Sequence, residues 1–280
     1  MKEPPYQLPD KQWFKFLRAS CDDPSLGLPS FPPEDLQRRW IGSAGADSLG
    51  EVERFYAHIK SKVDLSNIGR VLDFGSGYGR MSRAFLNDLD PSSIAGVDTD
   101  AAILKLCKET GVPGDYRLIT PTGNLPFPDE HFGLVYAYSV FTHLPENLSD
   151  HWLKEIRRVL KPGGTLVATV EPPRVFEHFA KMDITDETLH PWLSGNAKQI
   201  QGNPAIRASF DGRGFAYYGG EFYGDTFMSP SYVRSRWGEY FTVNEYLDDR
   251  SRFFQAVVTA VHPQRRSWLA GLLSRLHPKT

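Results

Sequence analysis

From residue 69 onward the chain alternates two kinds of apolar pattern. Short runs at 70–74, 93–97, 116–119, 132–138 and 165–170 have the length and density of buried strands. Between them, 80–89, 100–110 and 149–160 carry apolar residues three and four positions apart, the spacing of helices packed by one face. Lys161-Pro-Gly-Gly164 breaks the chain ahead of the fifth run. Such alternation predicts an α/β fold, a Rossmann-like sheet with helices on both faces. After residue 170 the rhythm stops. Residues 171–228 are rich in Gly, Pro and aromatics and too long for a simple connection, so they read as an insertion after the fifth strand. A helix at 229–237 and two strands near 241–247 and 254–261 then complete a seven-stranded sheet.

The amino-terminal third follows different rules. The first 33 residues are proline-rich, with one aromatic patch, Trp13-Phe14-Lys15-Phe16-Leu17, that predicts a short helix. A second short helix fits 34–40. Ser48 is placed to cap a longer one through about residue 62, with Leu49, Val52, Phe55, Tyr56 and Ile59 at helical spacing. The organisation expected is an arm and helical cap over 1–62, a main domain over 63–262, and a basic amphipathic tail over 263–280. In the tail Trp268, Leu269, Leu272, Leu273 and Leu276 share one helical face beside basic residues, suited to packing on the domain or on a second copy in a homodimer, with contact to a membrane surface as the other reading.

Composition narrows the class. A formal charge of −2 and a pI near 6.5 give no general attraction to nucleic acid. Cys21 and Cys107 form no metal or disulfide pattern, which points to a reducing cytoplasm, and no metal-ligand spacing is visible. No secretory leader is expected where Lys2, Glu3, Asp10, Lys11 and Lys15 interleave with prolines. No apolar run approaches the roughly 20 residues of a membrane span.

The candidate chemistry centres on Arg70-Val-Leu-Asp-Phe-Gly-Ser-Gly-Tyr-Gly-Arg80. It reads as strand, glycine turn, helix start, the place where an α/β sheet binds a nucleotide-like ligand. Arg80 stands where a dinucleotide fold usually has its third glycine, and Asp73 precedes the turn. A diphosphate would face that carboxylate; at roughly 5 Å and an effective dielectric of about 20, each like-charge pair costs on the order of 3 kcal/mol. A ligand with an ammonium and a sulfonium would be attracted. The loop therefore favours S-adenosyl-L-methionine over NAD.

Residues 70–80 resemble the first motif of class I S-adenosylmethionine-dependent methyltransferases, of the bacterial small-molecule and glycan type, and the resemblance extends over about 40–170. It implies that Gly75 and Gly77 line the methionine portion, that Gly79 belongs to the same cofactor-binding loop, and that Asp73 holds the ammonium directly or through water. In Ile94-Ala-Gly-Val-Asp98-Thr99-Asp100, Asp98 is placed for the ribose hydroxyls beside Thr99, and Asp100 for an N-cap. Where relatives carry an adenine-binding acid this chain has Pro121, leaving the Thr122 backbone and apolar contacts from Ile103 or Leu125. Trp40-Ile-Gly42-Ser43 resembles an upstream segment that closes over the cofactor carboxylate; a plain inter-helix loop is the other reading. Tyr138, Ser139 and His143, at and just past the end of the fourth strand, lie near the methyl group in the family fold. His143 is either a general base or a helix-entry histidine that shapes the pocket.

Glu171, ending the fifth strand, approaches the acceptor from the carboxyl edge. Tyr217, Tyr218 and Tyr223, within Phe215–Phe227, either wall a site for sugars or flat molecules or belong to a hairpin packed on the core. The implied reaction is methyl transfer to an oxygen or nitrogen of a small-molecule or glycan acceptor. A nicotinamide-dependent oxidoreductase and a non-catalytic cofactor-binding protein are the alternatives.

Overall fold

The computed structural model describes residues 3–185 and 191–264. The tail helix expected around Trp268–Leu276 lies outside the described residues. Three helices open the chain: α1 (Asp10–Ala19), α2 (Glu34–Ile41) and α3 (Leu49–Lys62). Ser48 does not cap α3 as expected; it sits in helical conformation and its hydroxyl donates to the Gly45 carbonyl. A tight Gly45–Ser48 turn feeds the helix instead.

The α/β core then runs β1 (Val71–Phe74), α4 (Ser82–Phe85), β2 (Ile94–Asp98), α5 (Ala101–Glu109), β3 (Asp115–Leu118), β4 (Phe132–Ala137), α6 (Glu146–Val159) and β5 (Leu160–Val170). The insertion forms α7 (Pro173–Lys181), α8 (Pro191–Gly202), α9 (Pro204–Arg213) and a hairpin, β6 (Phe215–Gly219) with β7 (Gly224–Met228). Finally α10 (Pro230–Arg236), β8 (Thr242–Leu247) and β9 (Ala256–Val261) close the sheet.

The seven strands lie in the order β3-β2-β1-β4-β5-β9-β8. The first five are parallel, and β9 runs antiparallel to both neighbours. Alternation along the strands feeds two cores. Leu72, Val135, Ala137 and Ala168 face one side with α6 and α10; Val71, Leu134, Tyr136 and Val167 face the other with α1, α3 and α4. Each large apolar side chain so buried contributes about 2 kcal/mol. The insertion has a third cluster of its own, built on Phe176, Phe179, Phe210, Ala216 and Phe227.

Two expectations change. The helix expected over 80–89 is regular only for Ser82–Phe85, because the following amides of Leu86, Asn87 and Asp88 bond three residues back. The segment is buried, and Asn87 uses its amide to bind both backbone groups of Leu8. Lys161-Pro-Gly-Gly164 lies inside β5 rather than ahead of it. Leu160 pairs with Phe132 and Thr165 with Leu134, so the tetrapeptide bulges out between them, and Gly163 and Gly164 bond to His262.

Candidate active site

The carboxyl ends of β1, β2, β4 and β5 converge on one edge of the sheet, where open α/β folds bind ligands. There the glycine loop turns with positive φ at Gly75 (79°), Gly77 (53°) and Gly79 (75°). A Cβ on Gly75 would lie 2.3 Å from Val140 Cγ2, so the chain leaving β4 can pass only over a glycine. At Gly77 the nearest atom to such a Cβ is Ile103 Cδ1 at 3.6 Å, leaving the face above it open to a ligand.

Four of the loop amides are bonded within the protein. Gly75 and Ser76 both donate to the Val97 carbonyl at 2.9 Å, Gly77 donates to Asp98 Oδ2 at 2.8 Å, and Gly79 donates to Ser76 O at 2.9 Å. A diphosphate cradle needs such amides free. Beside the loop stands Asp98, the second-strand acid, which can serve ribose hydroxyls in a dinucleotide or a sulfonium nucleoside alike. The Asp98 carboxyl, raised by burial but held by the amides of Asp100, Gly77 and Thr99, keeps lone pairs for hydroxyl donors. Those features fit S-adenosylmethionine, whose ribose would be held by Asp98.

Asp73 lies one layer deeper than the sequence implies. It is 1% exposed and accepts the Ser82 hydroxyl at 2.6 Å, and burial raises its carboxyl to about 7. Its place on the Val71 face of β1, between Ser82 and Tyr136, follows from the two-residue period of the strand.

The cap reaches the same edge. Trp40 packs on Tyr78 of the loop with ring centroids 6.2 Å apart, and Gly42 ends α2 as its left-handed cap at φ 74°. Arg80, read from sequence only as a missing glycine, ties loop to cap. Its guanidinium donates to Ser48 O at 2.8 Å, pairs with Glu51 at 3.3 Å and lies over the Tyr138 ring at 5.6 Å. Tyr138 is wedged between that cation and Phe55 of α3. Thr99 and Thr122 are exposed. Of the two apolar candidates for adenine, Ile103 faces Gly77, whereas Leu125 is sunk in the core.

Beyond β4 the insertion hairpin closes on the main domain. Gly224 N–H donates to His143 O at 3.0 Å and Thr226 N–H to Thr142 O at 2.8 Å. His143 Nδ1 lies 2.8 Å from Gly224 O and 3.9 Å from Asp225 Oδ1, and its ring stacks on Tyr223 at 4.5 Å. A carbonyl only accepts, so Nδ1 carries the hydrogen and Nε2 the lone pair. Burial lowers the imidazole, so it is neutral at pH 7.

The three tyrosines do not form one wall. Tyr223 covers His143 and is 67% exposed. Tyr218 turns into the insertion's own core, where its hydroxyl donates to Asn196, and Tyr217 turns to the other side and donates to Gly220 O. Adjacent strand residues point to opposite faces, which sequence proximity conceals.

Glu171 is 7% exposed at the end of β5, where it bridges to Phe227, and burial raises its carboxyl to about 7. Its Oε1 accepts from Gln255 Nε2 at 3.2 Å, and Gln255 also donates to Ser139 Oγ at 2.6 Å. Ser139 is a non-glycine residue at φ 59°, held there by its amide's 2.7 Å bond to Thr169 Oγ1. Ser139 is expected near this edge from the fourth-strand motif; Asp225 and Gln255 carry no motif, and only their positions in space reveal them.

Residues 72–168 match a family model described as methyltransferase domain. A phthiotriol/phenolphthiotriol dimycocerosates methyltransferase of Mycobacterium ulcerans is 33% identical over 139 residues, 49% of each chain. A ubiquinone/menaquinone biosynthesis C-methyltransferase of Burkholderia mallei is 31% identical over 135 residues, 45% of this chain and 52% of that one. The chain thus spans about half the length of these curated relatives. Among solved structures, an S-adenosylmethionine-dependent methyltransferase of Mesorhizobium loti shares the fold, with a TM-score of 0.51 at 14% identity over 75% of this chain and 98% of that one. Strand order, loop chemistry and the match over 72–168 agree: the chain carries a class I S-adenosylmethionine-dependent methyltransferase domain.

Proposed function

We propose that the protein transfers a methyl group to an oxygen or nitrogen of a small-molecule or glycan acceptor, with His143 as general base. The cofactor supplies a methyl on a cationic sulfur, already a good leaving group, so the chain's work is placement and proton removal. Asp98 holds the ribose, Gly75 and Gly77 admit the methionine portion, and Asp73 supports its ammonium from beneath the loop. Tyr138 and the Arg80–Glu51 pair fix the cap against that end. At His143 the neutral Nε2 would take the proton that the acceptor oxygen or nitrogen loses on methylation; a cofactor held by Asp98 and the glycine loop would supply the methyl, its sulfonium becoming a neutral thioether. Asp225 stabilises the imidazolium that results.

The observation that carries this reading is the Nδ1 bond to Gly224 O at 2.8 Å, which leaves the lone pair on Nε2. The same bond also docks the insertion hairpin on the main domain, so the rate of His143→Gln is what separates a base from a histidine that shapes the pocket. The Burkholderia mallei relative is a C-methyltransferase, which favours a second reading: an aromatic carbon as nucleophile, activated by removing a ring hydroxyl proton at the same Nε2. Unpaired Cys21 and Cys107 support a cytoplasmic setting. Among the described residues no helix is long and apolar enough to cross a membrane. The test is transfer of labelled methyl from S-adenosylmethionine to fractionated acceptor pools. His143→Gln should keep cofactor affinity and lose most turnover; an unchanged rate would remove His143 from the chemistry.

A further inference from the structure

Among the described residues, the buried side-chain atoms without a hydrogen-bond partner include two oxygens of one linked pair: Glu171 Oε2, an acceptor when the carboxyl is ionised, and Gln255 Oε1, an acceptor always. They belong to residues 7% and 8% exposed and joined to each other through the Gln255 Nε2–Glu171 Oε1 bond. The same Gln255 amide holds Ser139, whose strained backbone lies just past β4 at the edge of the proposed site. Leaving such buried oxygens unpaired costs about 1–3 kcal/mol each. The natural partner is a group with several donors and no acceptor.

We infer that Glu171, Gln255 and Ser139 form a subsite for a primary ammonium group carried by the acceptor. An ammonium brings three N–H donors, enough for Glu171 Oε2, Gln255 Oε1 and Ser139 Oγ together. A single hydroxyl brings one donor and leaves an oxygen bare. Charge favours the same choice. The nearby cation, Arg174, is spent on Asp248 Oδ1 at 2.6 Å and on the carbonyls of Phe253 and Phe254. The other charged group acting on Glu171 is Asp225, a second carboxylate. The burial that lifts Glu171 to about 7 would be offset by a cation at hydrogen-bond distance. Tyr223, exposed beside His143, supplies an aromatic face for the rest of the acceptor.

This subsite rests on the methyltransferase reading for its place beside the transferred methyl, and the experiment separates the two. Full-length protein is saturated with S-adenosylhomocysteine and titrated with benzylamine against N-benzylacetamide, and with glucosamine against N-acetylglucosamine. In at least one pair the free amine should bind ten-fold or more tightly than its acetylated form. Glu171→Gln should erase that preference while S-adenosylhomocysteine affinity stays within two-fold. Equal or absent binding of amine and amide in both pairs, the result if water alone fills the subsite, overturns the inference. So does a preference that survives in Glu171→Gln. The wild-type comparison stands whether or not that variant folds. Failure of the wild type to bind S-adenosylhomocysteine would instead bring down the methyltransferase reading.

Discussion

The amide of Gly77 donates to Asp98 Oδ2 at 2.8 Å, so the second strand's carboxylate holds the glycine loop in addition to the ribose-binding role proposed for it. Asp98→Ala removes both roles. Losing the ribose bonds costs about 2–4 kcal/mol, or roughly 30- to 1,000-fold in cofactor affinity. Calorimetric titration of the variant checks this, and an affinity within three-fold of wild type would contradict it.

Gly75 and Gly77 differ in what surrounds them. Gly75→Ala places a methyl 2.3 Å from Val140 Cγ2 at φ 79°, whereas Gly77→Ala meets only Ile103 at 3.6 Å. The first should lower the melting temperature by several degrees and abolish cofactor binding. The second should cost only about 1 kcal/mol of backbone strain in stability, yet still weaken binding by intruding on the open face. Thermal melts with and without S-adenosylhomocysteine separate the two effects.

His143 must be neutral to accept a proton, and burial lowers its pKa below the usual 6.5. The acid limb of kcat/KM should therefore lie below pH 6.5, with activity rising as pH increases through it. Asp225→Asn removes the nearby anion that favours the imidazolium. The limb should move to still lower pH and the plateau rate should fall. A limb that stays put in Asp225→Asn would separate Asp225 from the imidazole.

Stability has its own pH dependence through His58. This imidazole is 1% exposed, lies 3.2 Å from Thr259 Oγ1, and burial lowers its pKa despite Glu245 at 3.5 Å. A depressed folded pKa means the unfolded chain binds the proton more readily. The contribution is full above the unfolded value near 6.5 and is lost as pH falls towards the folded one. Between pH 7.5 and 5.5 the melting temperature should drop more in wild type than in His58→Gln.

The sheet was legible because β1, β2, β4 and the helices between them obey simple periods, and the carboxyl edge could be located from Gly75, Gly77, Gly79 and Asp98. Three features were not. Lys161-Pro-Gly-Gly164 has the composition of a turn, but backbone pairing on both sides draws it into a bulge. Arg80 breaks a glycine pattern, and only the fold shows that its partner is Ser48 O, 32 residues earlier. Tyr217 and Tyr218 are neighbours in sequence and opposites in space, because the hairpin gives each to a different core. Polar groups that meet across long separations, such as Ser139 with Gln255, leave no local pattern to read.

The central claim is that an acidic glycine loop with its amides already bonded selects a sulfonium nucleoside over a dinucleotide. Isothermal titration of the wild-type chain at pH 7 with S-adenosylhomocysteine and, separately, with NAD tests it most directly. The account predicts saturable one-to-one binding of S-adenosylhomocysteine and no heat from NAD. Saturable binding of NAD, with S-adenosylhomocysteine inert, would contradict it.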